Sequence, residues 1–297
     1  MVYHISIDDS DLAKVVQLRA CMGAFITECR ANGWNCTMEE RIIGNRHVFL
    51  CVSGVQSRTR EREWLKQLAK AMAEYICGSL EPEMIRTIIQ QEYRILSAQE
   101  ITQVEHYAER LLEGSAWEHA RVIYVNRRDK LAKQIWVFLR ENNRLAVDGF
   151  VRFRMKSYRT ALSKCVRDAV EEYVLDREYK EFIQLLKYFL SVQTSKMALV
   201  HVIHEGKSRF RILKADGSPL RLKEMGGALQ EVLEYTFSHE DFIVSTLLTL
   251  APEQVVLHTK NPGENVVRTL IQIFEERIVV CNGCGDCGIP LNFHSDA

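Results

Sequence analysis

No charge of either sign is in excess: Lys and Arg together number 39, and so do Asp and Glu. A balanced chain has no global field to draw in nucleic acid, an anionic membrane or an acidic substrate, so any such partner needs a local patch. Long apolar runs are missing too. Residues 242–250 are interrupted by Ser245, Thr246 and Thr249 and fall far short of the roughly 20 residues a spanning helix needs, so no membrane span is expected. The opening stretch Met1-Val-Tyr-His-Ile-Ser-Ile-Asp-Asp lacks the basic segment, apolar stretch and small-residue cleavage site of an export signal, which points to a cytoplasmic protein. Low-complexity tracts and solenoid-period repeats are lacking. So are G-x-S-x-G, Walker A, Rossmann, H-E-x-x-H and kinase signatures, which closes the usual routes to hydrolase, nucleotide-binding or protease assignments. No two carboxylates stand apart as a catalytic pair, and the reading leans away from an enzyme.

What the chain does have is cysteine, nine in all. Cys21, Cys29, Cys51, Cys77 and Cys165 sit in apolar patterns, where cysteine behaves as a small hydrophobe. Cys36 lies in a polar, turn-like stretch over residues 32–37. Without an export signal, structural disulfides are not expected. The remaining three stand at a fixed spacing, Cys281-Asn-Gly-Cys284-Gly-Asp-Cys287, directly after the apolar run Ile278-Val279-Val280. Thiolates two residues apart can converge on one soft cation or exchange electrons with one another, and the interleaved glycines permit the tight turns this requires.

Three thiolates leave a tetrahedral zinc or an iron–sulfur cluster one ligand short. His258 is the first candidate for the fourth, with His294 and Cys36 as alternatives. Zinc ranks first because Cys3His is a familiar structural site. An iron–sulfur cluster ranks lower, since the fourth cysteine of a ferredoxin-type run would fall at Leu291. A redox dithiol, Cys281–Cys284 or Cys284–Cys287, is a further reading, although no helix follows whose N-terminus would lower a thiol pKa. A tail holding nothing is the bland one.

Periodicity places these residues in an α+β fold dominated by helix. Residues 1–80 read as a βαββα-like unit, with Gly44-Asn45 as the turn of a hairpin and Trp64, Leu65, Leu68 and Met72 at helical spacing. Residues 81–192 read as a central helical region. Pro82 suits a first turn, Ser97-x-x-Glu100 and Ser115-x-x-Glu118 are capping boxes, and Gly114 is a stop. Val151, Phe153 and Met155 alternate with Arg152, Arg154 and Lys156, which predicts a strand. A long helix follows with Phe182 and Phe189 in its buried stripe and an interruption near Asp176-Arg177. Residues 193–297 read as a mixed domain with a hairpin around Glu205-Gly206 and a closing βαβ unit over residues 254–281. Both strands of that unit end at one edge, which brings His258 and Cys281 to one place. His201 and His204, three apart on a strand, go to opposite faces and read as ordinary sheet residues.

Residues 149–167 carry six basic side chains, Arg152, Arg154, Lys156, Arg159, Lys164 and Arg167, and no acidic one. Arg152, Arg154 and Arg159 are the candidate contacts to nucleic acid. The acidic run from Glu171 to Glu181 follows at once, so pairing within the protein is the favoured reading and a protein partner is preferred to nucleic acid.

Asp148-Gly-Phe-Val-Arg-Phe-Arg-Met-Lys-Ser-Tyr158, Glu171-Glu-Tyr and Glu178-Tyr-Lys-Glu-Phe-Ile-Gln-Leu-Leu-Lys-Tyr-Phe189 together resemble the YtxC family of sporulation proteins. The ending agrees, from Ser245-Thr-Leu-Leu-Thr-Leu-Ala-Pro252 through Phe274-Glu-Glu-Arg-Ile278 to the cysteine run. The resemblance implies an intracellular protein of endospore-forming bacteria with no enzymatic activity to carry over. It also implies a pattern that stops near Cys287, which places any shared fourth ligand inside the folded body or on a partner.

Overall fold

Tyr3, Ile5 and Ile7 alternate with His4, Ser6 and Asp8, and this period of two makes β1 (Val2–Asp8) a strand with one buried face. Each such side chain contributes about 1.5–3 kcal/mol on leaving water. The computed structural model describes residues 1–54, 57–114, 126–206, 209–220 and 239–281. The chain divides into two compact units, Met1–Leu175 and Asp176–Ala297.

In the first unit the Asp11 carboxylate accepts from the amides of Ala13 and Lys14 and starts α1 (Leu12–Ala31). The hairpin of β2 (Cys36–Ile43) and β3 (Arg46–Ser53) turns at Gly44, whose φ of +63° suits glycine. Helix α2 (Arg58–Tyr75) continues through a π-helical turn at Ile76–Leu80 into α3 (Glu81–Glu92), with Pro82 in its first turn. Helices α4 (Ala98–Glu113) and α5 (Arg127–Glu141) precede β4 (Arg144–Ala146). The sheet order is β2-β3-β1-β4, antiparallel except where β4 lies parallel to β1. One core, with Phe49, Trp64, Leu68, Met72, Ile89 and Ile135 fully buried, packs the helices on the Ile5 face.

Ser97 and Glu100 form the expected reciprocal cap, and α4 ends at Gly114 with φ +72°. Ser97→Ala is expected to lower stability by about 1 kcal/mol, read by thermal unfolding. No change would mean that water replaces the cap without loss. The second expected box, at Ser115, lies outside the described residues.

The strand predicted at residues 151–155 is a helix instead, α6 (Val147–Arg154), and β4 ends immediately before it. Val147 and Phe150 are buried one turn apart and Val151 is half-buried beside them, whereas Phe153 is 67% exposed. Alternation would have required Phe153 inside; helical spacing buries the other three together. Helix α7 (Lys156–Val192) is unbroken at Asp176-Arg177, and Phe182 and Phe189 are largely exposed rather than in its buried stripe.

The second unit takes residues 176–192 of α7, the antiparallel pair β5 (Leu199–Gly206) and β6 (Arg209–Lys214), α8 (His239–Leu250), β7 (Gln254–His258), α9 (Asn265–Phe274) and β8 (Ile278–Cys281). Sheet order is β6-β5-β7-β8, with β5, β7 and β8 mutually parallel, so the expected βαβ unit is present. Val200, Val202, Val255 and Leu257 join Ile183, Leu190, Ile243, Leu247, Leu270 and Phe274 in one core.

Candidate functional site

The parallel strands β5, β7 and β8 finish at one edge, the usual place for a site in such a sheet. Ile203, His258 and Cys281 are register partners across it, and the Thr259 amide donates to the Cys281 carbonyl at 3.2 Å. Because Val255 and Leu257 face the core, alternation sends His258 to the other face together with His201. His201 Nδ1 lies 3.2 Å from His258 Nε2, and the rings stack with centroids 5.5 Å apart.

His258 is fully buried, and its Nδ1 has no hydrogen-bond partner among the described residues. Burial, and then the neighbouring His201, holds its pKa below the ordinary imidazole value, so the ring is neutral at neutral pH. A neutral ring carries one proton. If Nε2 holds it and donates to His201, His258 Nδ1 is left as a bare lone pair aimed into a closed environment. That tautomer is the one a metal ligand needs, with His201 as its outer hydrogen-bond acceptor. Cys281 is half-buried at the end of β8, while Cys284, Cys287 and His294 lie outside the described residues. Among the described residues no group of three His, Cys, Asp or Glu is arranged to hold a metal.

His204 turns the other way, as alternation requires, and serves a different purpose. Its Nδ1 lies 2.8 Å from Thr259 Oγ1, which also accepts from the Asn261 amide at 3.0 Å. Its Nε2 is 2.6 Å from the carboxylate of Glu264, the residue that opens α9, close but off the N–H axis. The ring stacks on Phe210 at 4.8 Å. A bulge between His204 and Gly206 accompanies this aim. His204 therefore staples the β7–α9 loop, and the two histidines share no ligand position.

The other sequence candidates are dispersed. Cys36 is buried in the core of the first unit, its Sγ 4.0 Å from the Ile26 carbonyl. Arg152 and Arg159 line a cleft with Asp8, Asp11, Glu83 and Asp148, and the Arg152 guanidinium lies over the Phe153 ring at 5.5 Å. Arg154 lies over the Phe138 ring at 5.8 Å in a separate cleft.

Sequence reasoning missed a buried and multiply bonded carboxylate in the first unit. Glu81, 3% exposed, takes two hydrogen bonds from Arg127, at 3.0 Å from Nε and 2.9 Å from Nη2, and another from the Tyr158 hydroxyl. Cys77 Sγ lies 3.3 Å from the Tyr158 oxygen, and Arg127 Nη1 donates to the Leu112 carbonyl at 2.6 Å. Burial, then the Glu81 charge, drives the Tyr158 pKa far above the ordinary phenol value, and burial raises that of Cys77. Both titrating groups stay protonated and shielded from solvent, so the cluster is a fastening point. The available signal was a carboxylate just before Pro82 at the end of a π-helical turn; its partners lie 46 and 77 residues away.

The model of the YtxC-like family matches residues 66–279, a stretch that runs from α2 to β8 and includes His201, His204 and His258. A Bacillus subtilis (strain 168) protein named uncharacterized protein YtxC is 24% identical over 218 residues, which is 73% of this chain and 74% of that protein. No solved structure matches.

Proposed function

Because the chain belongs to the YtxC-like family, we propose that it is a sporulation-associated intracellular protein without catalysis of its own, in which Cys281, Cys284, Cys287 and His258 Nδ1 hold one zinc ion. The observation that carries the metal reading is the His258 ring: buried, neutral, unpartnered at Nδ1 and in register with Cys281. Three thiolates and one imidazole are the Cys3His donor set of structural zinc. Zinc supplies cross-linking here, tying residues 281–287 to the strand ends, and its binding energy adds directly to folding. The tail so ordered presents a fixed surface to another protein. His201 fixes the tautomer of His258 and stands outside the metal shell.

Protein purified without a tag or chelator is expected to carry about one equivalent of zinc, lost in His258→Ala and Cys281→Ser. His201→Ala is expected to keep the metal but to weaken its affinity by about 10–100-fold. Less than about a tenth of an equivalent of zinc or iron in the native protein overturns the reading. A brown protein containing iron instead assigns the same thiols to an iron–sulfur cluster.

A further inference from the structure

The face of the first sheet turned away from its core carries His4 and Ser6 on β1, Arg46 and Val48 on β3, and Arg144 and Ala146 on β4. His4 and Arg144 are register partners, as are Ser6 and Ala146. Phe150, Phe153 and Arg154 of α6 and Phe138 of α5 wall in this face and leave a cleft of about 800 Å³, the size of a small-molecule site. Its floor is low because Ser6, Ala146 and Gly149 are small; a Cβ added at Gly149 would meet Ala146 Cβ at 3.7 Å.

Three guanidinium groups line the cleft and no carboxylate does. One of them is already committed, since Arg46 grips Asp148 at 2.5 and 3.2 Å and reaches Ser6 Oγ at 3.3 Å. Arg144 and Arg154 have no carboxylate partner among the described residues. Arg154 instead lies over the Phe138 ring. Phe138 meets the buried Phe150 edge to face at 5.3 Å, whereas Phe153 is 67% exposed beside them, with the Arg152 guanidinium 5.5 Å from its ring centre. Two guanidiniums without a carboxylate partner, next to one exposed ring, recognise a doubly charged head joined to a flat apolar body. A phosphate monoester is close to a dianion at neutral pH, whereas a carboxylate supplies only one charge. We propose that this cleft binds an organic phosphate of about mononucleotide size, its phosphate held by Arg144 and Arg154 and its ring laid against Phe153.

Calorimetry on the full chain with four probes tests this. Phenyl phosphate is expected to bind about tenfold more tightly than inorganic phosphate, which lacks the ring, and than benzoate, which lacks the second charge. Arg144→Gln and Arg154→Gln are each expected to weaken phenyl phosphate by about tenfold or more. Phe153→Ala is expected to weaken phenyl phosphate but not inorganic phosphate. Arg159→Gln, in the neighbouring acidic cleft, is expected to leave binding unchanged. Because all the substituted side chains are exposed, far-UV circular dichroism should report an intact fold throughout. The proposal fails if phenyl phosphate gives no binding at about 5 mM, if benzoate equals it, or if the Arg144 and Arg154 variants bind as the parent does. A single-stranded oligonucleotide that binds far more tightly, with a salt slope of many phosphates, replaces it with a nucleic-acid surface.

Discussion

Glu81→Ala is expected to destabilise the first unit by about 3–5 kcal/mol, the usual cost of stranding one member of a buried ion pair. The Glu81 and Arg127 side chains are 4% and 14% exposed, so solvent screens the pair little. Removing the carboxylate strips Arg127 of both side-chain hydrogen bonds and leaves the Tyr158 hydroxyl without its acceptor. Attraction and desolvation oppose one another in such a pair, so deleting both charges should cost much less than deleting one. Glu81→Leu combined with Arg127→Met is therefore expected to be more stable than Glu81→Ala, within about 2 kcal/mol of the parent. Urea unfolding of the three proteins decides it. A double variant as unstable as the single one would show that shape, not charge, holds the cluster together.

The second large effect is expected at Trp64, where alanine should cost about 3–5 kcal/mol. Its side chain is fully buried and meets Tyr3 at 5.4 Å and Phe25 edge-on at 5.5 Å, tying α2 to both β1 and α1. Part of that burial is imperfect, because the indole Nε1 is buried without an acceptor among the described residues. Trp64→Phe deletes that stranded donor while keeping an aromatic ring. The relief, about 1–3 kcal/mol, offsets much of the cavity left behind. Phenylalanine should thus cost far less than alanine in equilibrium unfolding, and equal losses would mean that the whole indole is needed for its shape.

Local rules recovered those parts of the fold that local physics decides. The alternation of β1, the Ser97–Glu100 box, the turn at Gly44 and the closing βαβ unit are each written in a few adjacent residues. The stretch after Asp148 misled because Val147, Phe150 and Val151 stand at helical spacing within a run that also alternates; burial of Val147 and Phe150 beside an exposed Phe153 settles it. The same contrast holds at the sites. His258 meets Cys281 because parallel strands joined by one helix must end together, which sequence order alone dictates. The pairing of His201 with His258 across 57 residues, and of Glu81 with Tyr158 across 77, depends on how separate elements come together. Alternation could separate His201 from His204 but could not name the partner of either.

The parallel pairing of β4 with β1 also orders events during synthesis. His4 leaves the ribosome 140 residues before Arg144, its register partner, an interval of roughly ten seconds at ordinary elongation rates. Throughout it the β4 side of β1 is an open strand edge, the kind of surface other chains join. Only when residues 144–146 dock does the sheet gain its fourth strand, and the arginine-lined cleft comes into being in the same step. A phosphate compound filling that cleft would favour the closed sheet over the open one, and so act as a folding aid as well as a bound molecule.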